Sequence, residues 1–252
     1  MTSMLEALEK AFVKLRRKRV ARTLFHKHGG IIQAGPFKGL ALDGESNISQ
    51  GPLAIKIFGL YETAVMERVV ALGPFNDAIN IGAADGYFSL GLLRAGLAQR
   101  SICFEMTAAG RAAIQRNAER NGLADRVVIL GTADENIGQL LAPTGFSPAR
   151  SLVLCDIEGG EFTVLSRSVL EQLSGAVFIV ELHDRIQTGR PDQRQALLER
   201  FPAHYDCAII QTVPVNWAGI ADIEALSDND RALATSEGRR AIGEWLVATP
   251  RT

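Results

Sequence analysis

Cysteine is scarce: three residues in 252, Cys103, Cys155 and Cys207. The number is odd, and each lies in an apolar run that reads as a buried strand. A disulfide framework is therefore excluded as the basis of the fold, and a reducing cytoplasm is the expected location. Long apolar runs are also missing. None approaches the roughly 18 residues that a membrane-crossing helix needs. No apolar segment follows the first charges, so no secretory signal is expected. An excess of one charge is the third absence. The 27 basic and 28 acidic residues sum to −1, which excludes a chain-wide basic field for nucleic acid.

What is present is ordinary globular composition, 47% hydrophobic and 22% charged, which excludes a wholly disordered chain. The length fits one large α/β domain or two small ones. The near-zero charge hides a split. Residues 1–28 carry +6, from eight basic and two acidic side chains, so the remainder carries −7. The expected organisation is a basic helix and irregular cap over residues 1–60 and a main domain over 61–252.

Leu5, Leu8, Phe12 and Leu15 recur at spacings of three and four, which predicts a helix over 4–27 whose apolar stripe docks on the main domain. Its charge run Arg16–Arg19 reads as a solvated face. Membrane-surface binding and nucleic-acid contact stay open as sharper readings. Residues 29–60 are rich in glycine, which predicts turns and short strands. A helix is expected at about Tyr61–Leu72, ended by Gly73-Pro74.

From residue 78 the pattern is regular. Apolar, β-branched runs at Ala78–Gly82, Ser101–Glu105, Arg126–Gly131, Ser151–Asp156 and Ala176–His183 have strand ends near 82, 105, 131, 156 and 181, at steps of 23 to 26 residues. One strand, one helix and two short loops fill such a step. The runs are continuous rather than alternating, as in strands covered on both faces. A helix over Pro191–Phe201 and strands at Asp206–Val213 and Glu244–Ala248 follow, with a helix or loop over Ser227–Arg240. The expectation is a doubly wound, mostly parallel seven-stranded α/β sheet with its last two strands antiparallel and an N-terminal helical and irregular extension.

Such sheets bind ligands at the carboxyl ends of their strands. The first strand ends in Ile81-Gly82-Ala83-Ala84-Asp85-Gly86-Tyr87-Phe88. Gly82 allows a sharp turn, Gly86 a close approach to a ligand. Glu105 ends the second strand, where a carboxylate can accept from both hydroxyls of a ribose. A dinucleotide is disfavoured. Ala84 stands where the pyrophosphate-binding motif needs its second glycine, and Asp85 would oppose phosphates. A cationic sulfonium suits an acidic turn, so the ligand read from these residues is S-adenosylmethionine.

Ile81 to Leu90 resembles motif I of class I methyltransferases in the form used by the FkbM-like family. Phe104-Glu105, Asn117 with Asn121-Gly122-Leu123, and Cys155-Asp156-Ile157-Glu158-Gly159-Gly160-Glu161 running on to Leu165 resemble further motifs of that family. The match spans about residues 78–183. Met106 stands where the family has proline and Gly160 where it has alanine. The resemblance implies a Rossmann-like methyltransferase fold. It further implies that Gly82, Ala84 and Asp85 line the methionine end of the cofactor, with Ala83, Gly86, Tyr87 and Phe88 in the same turn. Glu105 would bind the ribose, with Met106 beside it. Ala133 and Asp134 would flank adenine, and Asp156 would lie next to the methyl donor.

Methyl transfer needs the acceptor positioned and its proton removed. Candidates at the ends of strands four and five are Asp156, Glu158, Glu181, His183 and Asp184, with His183 the natural general base. Glu158 and Glu161 read as complements to a helix N-terminus. Asp156, Glu181 and His183 together could hold a divalent cation such as Mg²⁺ or Mn²⁺. Tyr61-Glu62 could reach over the cofactor, Arg185 and Arg190 could meet an anionic substrate, and Glu237–Arg240 could form a lid. The leading expectation is O-methylation of a small-molecule or sugar hydroxyl. The alternatives are an RNA or protein methyltransferase guided by the basic arm, an NAD-dependent oxidoreductase, and a non-catalytic nucleotide-binding module.

Overall fold

The computed structural model describes residues 4–44, 52–184, 192–239 and 241–251. The strands are β1 (Phe75–Ile81), β2 (Ala98–Phe104), β3 (Val127–Leu130), β4 (Leu152–Cys155), β5 (Val177–Glu181), β6 (Tyr205–Gln211) and β7 (Glu244–Pro250). The helices are α1 (Met4–Lys27), α2 (Leu53–Ile57), α3 (Thr63–Leu72), α4 (Tyr87–Arg94), α5 (Ala108–Arg120), α6 (Ile137–Leu141), α7 (Glu161–Val164), α8 (Arg167–Gln172), α9 (Gln193–Leu198), α10 (Ala221–Glu224) and α11 (Asp228–Thr235). Among the described residues no helix is long and apolar enough to cross a membrane.

The sheet runs β3-β2-β1-β4-β5-β7-β6. The first five strands are parallel, and β7 inserts antiparallel between β5 and β6. Alternate residues of the central strands feed two apolar layers. Leu152 and Leu154 of β4, Ile179 of β5 and Trp245 of β7 face the layer that holds α3 and α4. Val153 and Cys155 of β4, Phe178 and Val180 of β5 and Leu246 of β7 face the layer that holds α7 and α8. Burial on both faces is why these strands read as continuous apolar runs. Side chains fix several helix starts: Thr107 caps α5 through the Gly110 N–H, and Ser227 caps α11 through the Asp230 N–H.

The departures from the sequence expectation are local. Among the described residues of 29–60, one isolated bridge, Ile31 to Ala41, and the short helix α2 stand in place of short strands, and 45–51 lie outside the described residues. Glycines there serve turns, and the apolar groups fill the α3–α4 layer directly: Ile32, Phe37, Leu40, Leu42, Leu53 and Ile57 all share it. Cys207 is exposed, because β6 is the outermost strand and buries little beyond Tyr205. The largest difference concerns α1. The stripe expected to dock is solvent-facing: Leu8, Phe12 and Leu15 are 59%, 63% and 67% exposed. Docking falls instead to Ala21, Leu24 and Phe25, which lie on the other side of the same helix.

Candidate active site

The strand order reverses between β1 and β4, and a cleft of about 860 Å³ opens at the carboxyl ends of the strands there. Its size suits a nucleoside-sized ligand with room for a second molecule.

One wall is the turn after β1. Gly82 and Ala83 donate their N–H groups to the Phe104 carbonyl (2.9 and 3.0 Å). Gly82 has φ +87°, and a Cβ there would run into the Asp156 carbonyl oxygen, so only glycine fits between β1 and β4. Ala84, itself at φ +51°, donates to Glu105 Oε2 (3.0 Å). Glu105 Oε1 accepts from the Thr107 N–H (2.8 Å) and hydroxyl (2.6 Å). The carboxylate is thus fixed at the β2 end in the cleft lining, with one acceptor site left on Oε2. Gly110 makes this possible, since a Cβ there would sit 2.5 Å from Glu105 Cγ.

The other expected turn residues divide. Gly82, Ala84, Glu105, Met106 and Ala133 line the cleft. Ala83, Gly86, Tyr87 and Phe88 stand behind the lining: Gly86 is the left-handed N-cap of α4, and Tyr87 and Phe88 are buried in the aromatic cluster with Phe37 and Tyr61. Asp85 is buried too. Its carboxylate accepts from the Tyr87 N–H (3.2 Å) and lies 3.4 Å from Lys56 Nζ, which sits over the Tyr61 and Tyr87 rings. Asp134 points to the Asn136 N–H (2.8 Å) at the surface. Asn117 and Asn121 have a bracing role. Asn117 joins the Asp85 carbonyl to the Asp43 N–H, and Asn121 pins Ala41 from both sides.

The opposite wall is acidic and centred on His183, a buried residue two positions past β5. Glu161, fully buried at the start of α7, accepts from the His183 backbone N–H (2.8 Å) and meets its Nδ1 at 3.2 Å. Its other oxygen accepts from the Gly159 N–H (2.8 Å). The imidazole is therefore held by one edge. The other edge, Nε2, faces Asp156 (3.8 Å), Glu158 (3.7 Å) and Glu181 (3.8 Å). Burial opposes a charged imidazole, but the hydrogen bond and charge of Glu161, with Asp156 and Glu158, outweigh it and raise the His183 pKa. Burial and the adjacent Asp156 carboxylate push Glu181 up to about 10, and burial raises Asp156 as well. Two carboxylates this close hold a proton between them.

Three contributors take definite places that the sequence leaves open, with Tyr61 expected over the cofactor, Arg239 in a lid and Glu161 at a helix start. Arg239 enters from the segment after α11 and donates to Glu62, Glu181 and Glu237, the last at 2.6 Å. Tyr61 lines the cleft, and its hydroxyl is raised well above the usual range by burial and then by Asp156 and Glu181. Glu161 read as a helix-dipole complement, and the fold turns it onto His183 instead. The divalent-cation set also changes. Asp156, Glu158 and His183 offer ligand atoms all within 4.8 Å of one another, while Glu181 is engaged by Arg239. Arg185, Arg190 and Arg240 lie outside the described residues.

No family model matches the chain, and no curated protein does. Solved structures do. An O-methyltransferase from Bacillus cereus in complex with SAH is 15% identical, with 92% of this chain and 91% of that one covered at a TM-score of 0.50. Cofactor-bound Rv0187 from MTB is 19% identical over 73% of this chain and 77% of its own, at 0.49. The B. subtilis m1A22 tRNA methyltransferase TrmK is 12% identical over 73% and 64%, at 0.46. At these identities the likeness is one of fold.

Proposed function

We propose that the chain is an S-adenosylmethionine-dependent methyltransferase of FkbM-like type, acting on the hydroxyl of a small molecule or sugar. The observation that carries this reading is one cleft with two unlike walls. A glycine turn that admits no Cβ lies beside a braced ribose-type carboxylate, Glu105, and an imidazole ringed by carboxylates faces them. The residues fit the cofactor. Glu105 would accept from its ribose, Met106 and Ala133 would flank its base, and Gly82 and Ala84 would meet its methionine end beside Asp156. When bound, it supplies a methyl group already activated on sulfonium. The single negative charge that Asp156 and Glu181 keep when they share a proton, with Glu158 beside them, suits that cation and would oppose the phosphates of a dinucleotide.

The chain's own part is to hold the acceptor and take its proton. His183 would do so at Nε2, with Glu161 fixing the ring through Nδ1. The raised pKa makes it a stronger base, active once deprotonated. A second mechanism has its own observation, the convergence of Asp156, Glu158 and His183. Two carboxylates and an imidazole suit Mg²⁺ or Mn²⁺, which would lower the acceptor hydroxyl's pKa. The basic arm guides RNA less readily than its charge implies, because Arg16, Arg17 and Lys27 are tied to Asp230, the Ser236 carbonyl and Asp222. The free, buried thiols of Cys103 and Cys155 suit a reducing cytoplasm.

The test is release of S-adenosylhomocysteine when the chain is offered S-adenosylmethionine and a panel of sugar and phenolic hydroxyls. Turnover that His183→Ala removes supports the reading. Reduction of NAD by the same panel with no S-adenosylhomocysteine would replace it.

A further inference from the structure

Helix α2 carries a buried cation with more donors than the described residues fill. Its five residues, Leu53-Ala54-Ile55-Lys56-Ile57, are all buried, and four of them are apolar. Lys56 is 4% exposed, yet it lines the cleft. An ammonium has three N–H donors and no acceptor. Among the described residues this one has a single hydrogen-bond partner, Asp85 Oδ1 at 3.4 Å, and that oxygen already accepts from the Tyr87 N–H at 3.2 Å. The rings of Tyr61 and Tyr87, with centroids 5.2 and 4.7 Å from Nζ, hold the cation by their faces. Burying two charges is costly, and one contact of this length does not offset it. Stability alone would favour an apolar side chain at position 56.

The charges of the cleft say what the lysine meets. The described lining holds five carboxylates and two permanent cations, Lys56 and Arg239. Arg239 is engaged by Glu62, Glu181 and Glu237. An anionic group that enters the cleft therefore finds its cation at Lys56. Position narrows the choice of group. Asp85 ties Lys56 to the turn after β1, the wall on which Gly82 and Ala84 lie. His183 with Asp156 and Glu158 forms the other wall, where the acceptor would stand. The turn is the place read above for the methionine end of S-adenosylmethionine, and that end carries one carboxylate.

We infer that Lys56 anchors the carboxylate of the cofactor, held in place by Asp85 and by the rings of Tyr61 and Tyr87. Asp85 then serves the methionine end through the lysine and not by direct contact. The inference rests on the S-adenosylmethionine reading of the cleft.

The experiment is calorimetric titration of the full chain with three ligands. They are S-adenosylhomocysteine, its decarboxylated form, which keeps the amine, and methylthioadenosine, which lacks both groups. Lys56→Met, of similar length and uncharged, is titrated beside the wild type, with a melting curve to check its fold. In the wild type, removing the carboxylate is expected to weaken binding about ten- to a hundredfold, as for a hydrogen bond to a charged group. Lys56→Met is expected to lose the same factor for S-adenosylhomocysteine and to bind the other two ligands as the wild type does. Equal wild-type affinity for S-adenosylhomocysteine and its decarboxylated form overturns the inference and leaves the cofactor reading standing, and this arm needs no variant. A Lys56→Met protein that loses all three ligands equally also overturns it, since the lysine then only supports the turn. So does one that keeps S-adenosylhomocysteine affinity but shows a raised KM for a carboxylated acceptor such as a hydroxybenzoate, which assigns the cation to the acceptor. A wild type that binds none of the three removes the cofactor reading and the inference with it.

Discussion

Glu161→Gln isolates the group that holds the proposed base, His183, while preserving its shape. The wild-type carboxylate is fully buried and serves three donor positions: the His183 N–H, His183 Nδ1 and the Gly159 N–H. An amide has one acceptor oxygen, so whichever way it turns, at least one of these groups faces an NH₂. One orphaned buried donor costs about 1–3 kcal/mol, and the variant is expected to lose about that much stability. The effect on turnover is separate. A base that is no longer oriented forfeits ~10²–10⁴ in rate, while S-adenosylmethionine affinity is expected to hold, since Glu161 does not line the cleft. The pH profile adds a third readout. Among the causes that raise the His183 pKa, the Glu161 hydrogen bond and charge come first. Turnover needs the neutral imidazole, so the wild-type rate falls as the pH drops through a value above the ordinary 6.5 of histidine, and in Glu161→Gln that limb moves to lower pH. Stability follows the opposite sign. A raised histidine pKa stabilises the fold below the unfolded value, and this part fades as the pH rises through the folded value. The gap between wild type and variant therefore narrows at alkaline pH. Turnover within a few-fold of wild type with an unmoved acid limb would refute this role for Glu161.

Other expectations follow from single contacts. Gly110→Ala places a Cβ against the Glu105 side chain and should weaken S-adenosylmethionine binding at least tenfold in calorimetry while leaving the far-UV spectrum unchanged. Leu24→Ala should destabilise the fold by about 2–5 kcal/mol in denaturant titration, as for a buried leucine, whereas Phe12→Ala should leave it within about 0.5 kcal/mol. Chelation separates the two routes to the acceptor proton. If Asp156, Glu158 and His183 hold a cation, EDTA abolishes turnover and Mn²⁺ restores it, and Glu158→Gln weakens Mn²⁺ binding seen by electron paramagnetic resonance. Under the His183 route, EDTA changes nothing.

The sheet was readable because both faces of its central strands are covered. Leu152 and Leu154 serve one layer and Val153 and Cys155 the other, so each strand shows as an unbroken apolar run at a regular step. The strand ends were readable for a chemical reason: Gly82 and Glu105 occupy positions where a close backbone approach and a fixed carboxylate leave little choice of residue. Helix α1 misled because it carries two apolar faces. Leu8-Phe12-Leu15 and Ala21-Leu24-Phe25 are equally periodic, and nothing local says which one meets the body. Arg239 was visible only as part of a candidate lid, and not as a partner of Glu62, which is 177 residues away in sequence and joined to it only by the fold. Glu161 was visible as a residue but not as a contact. A carboxylate at a helix start reads as a dipole complement until the His183 main chain is seen to lie against it.

The central claim is that this cleft holds S-adenosylmethionine through Glu105 beside the Gly82 turn. Calorimetric titration of the wild type and of Glu105→Ala tests it most directly. The account requires one site in the wild type, and an affinity about a hundredfold or more weaker in the variant, since hydrogen bonds to a charged acceptor carry about 1.5–3 kcal/mol each. Equal affinity in the two proteins, or binding of NAD with none of S-adenosylmethionine, would contradict it.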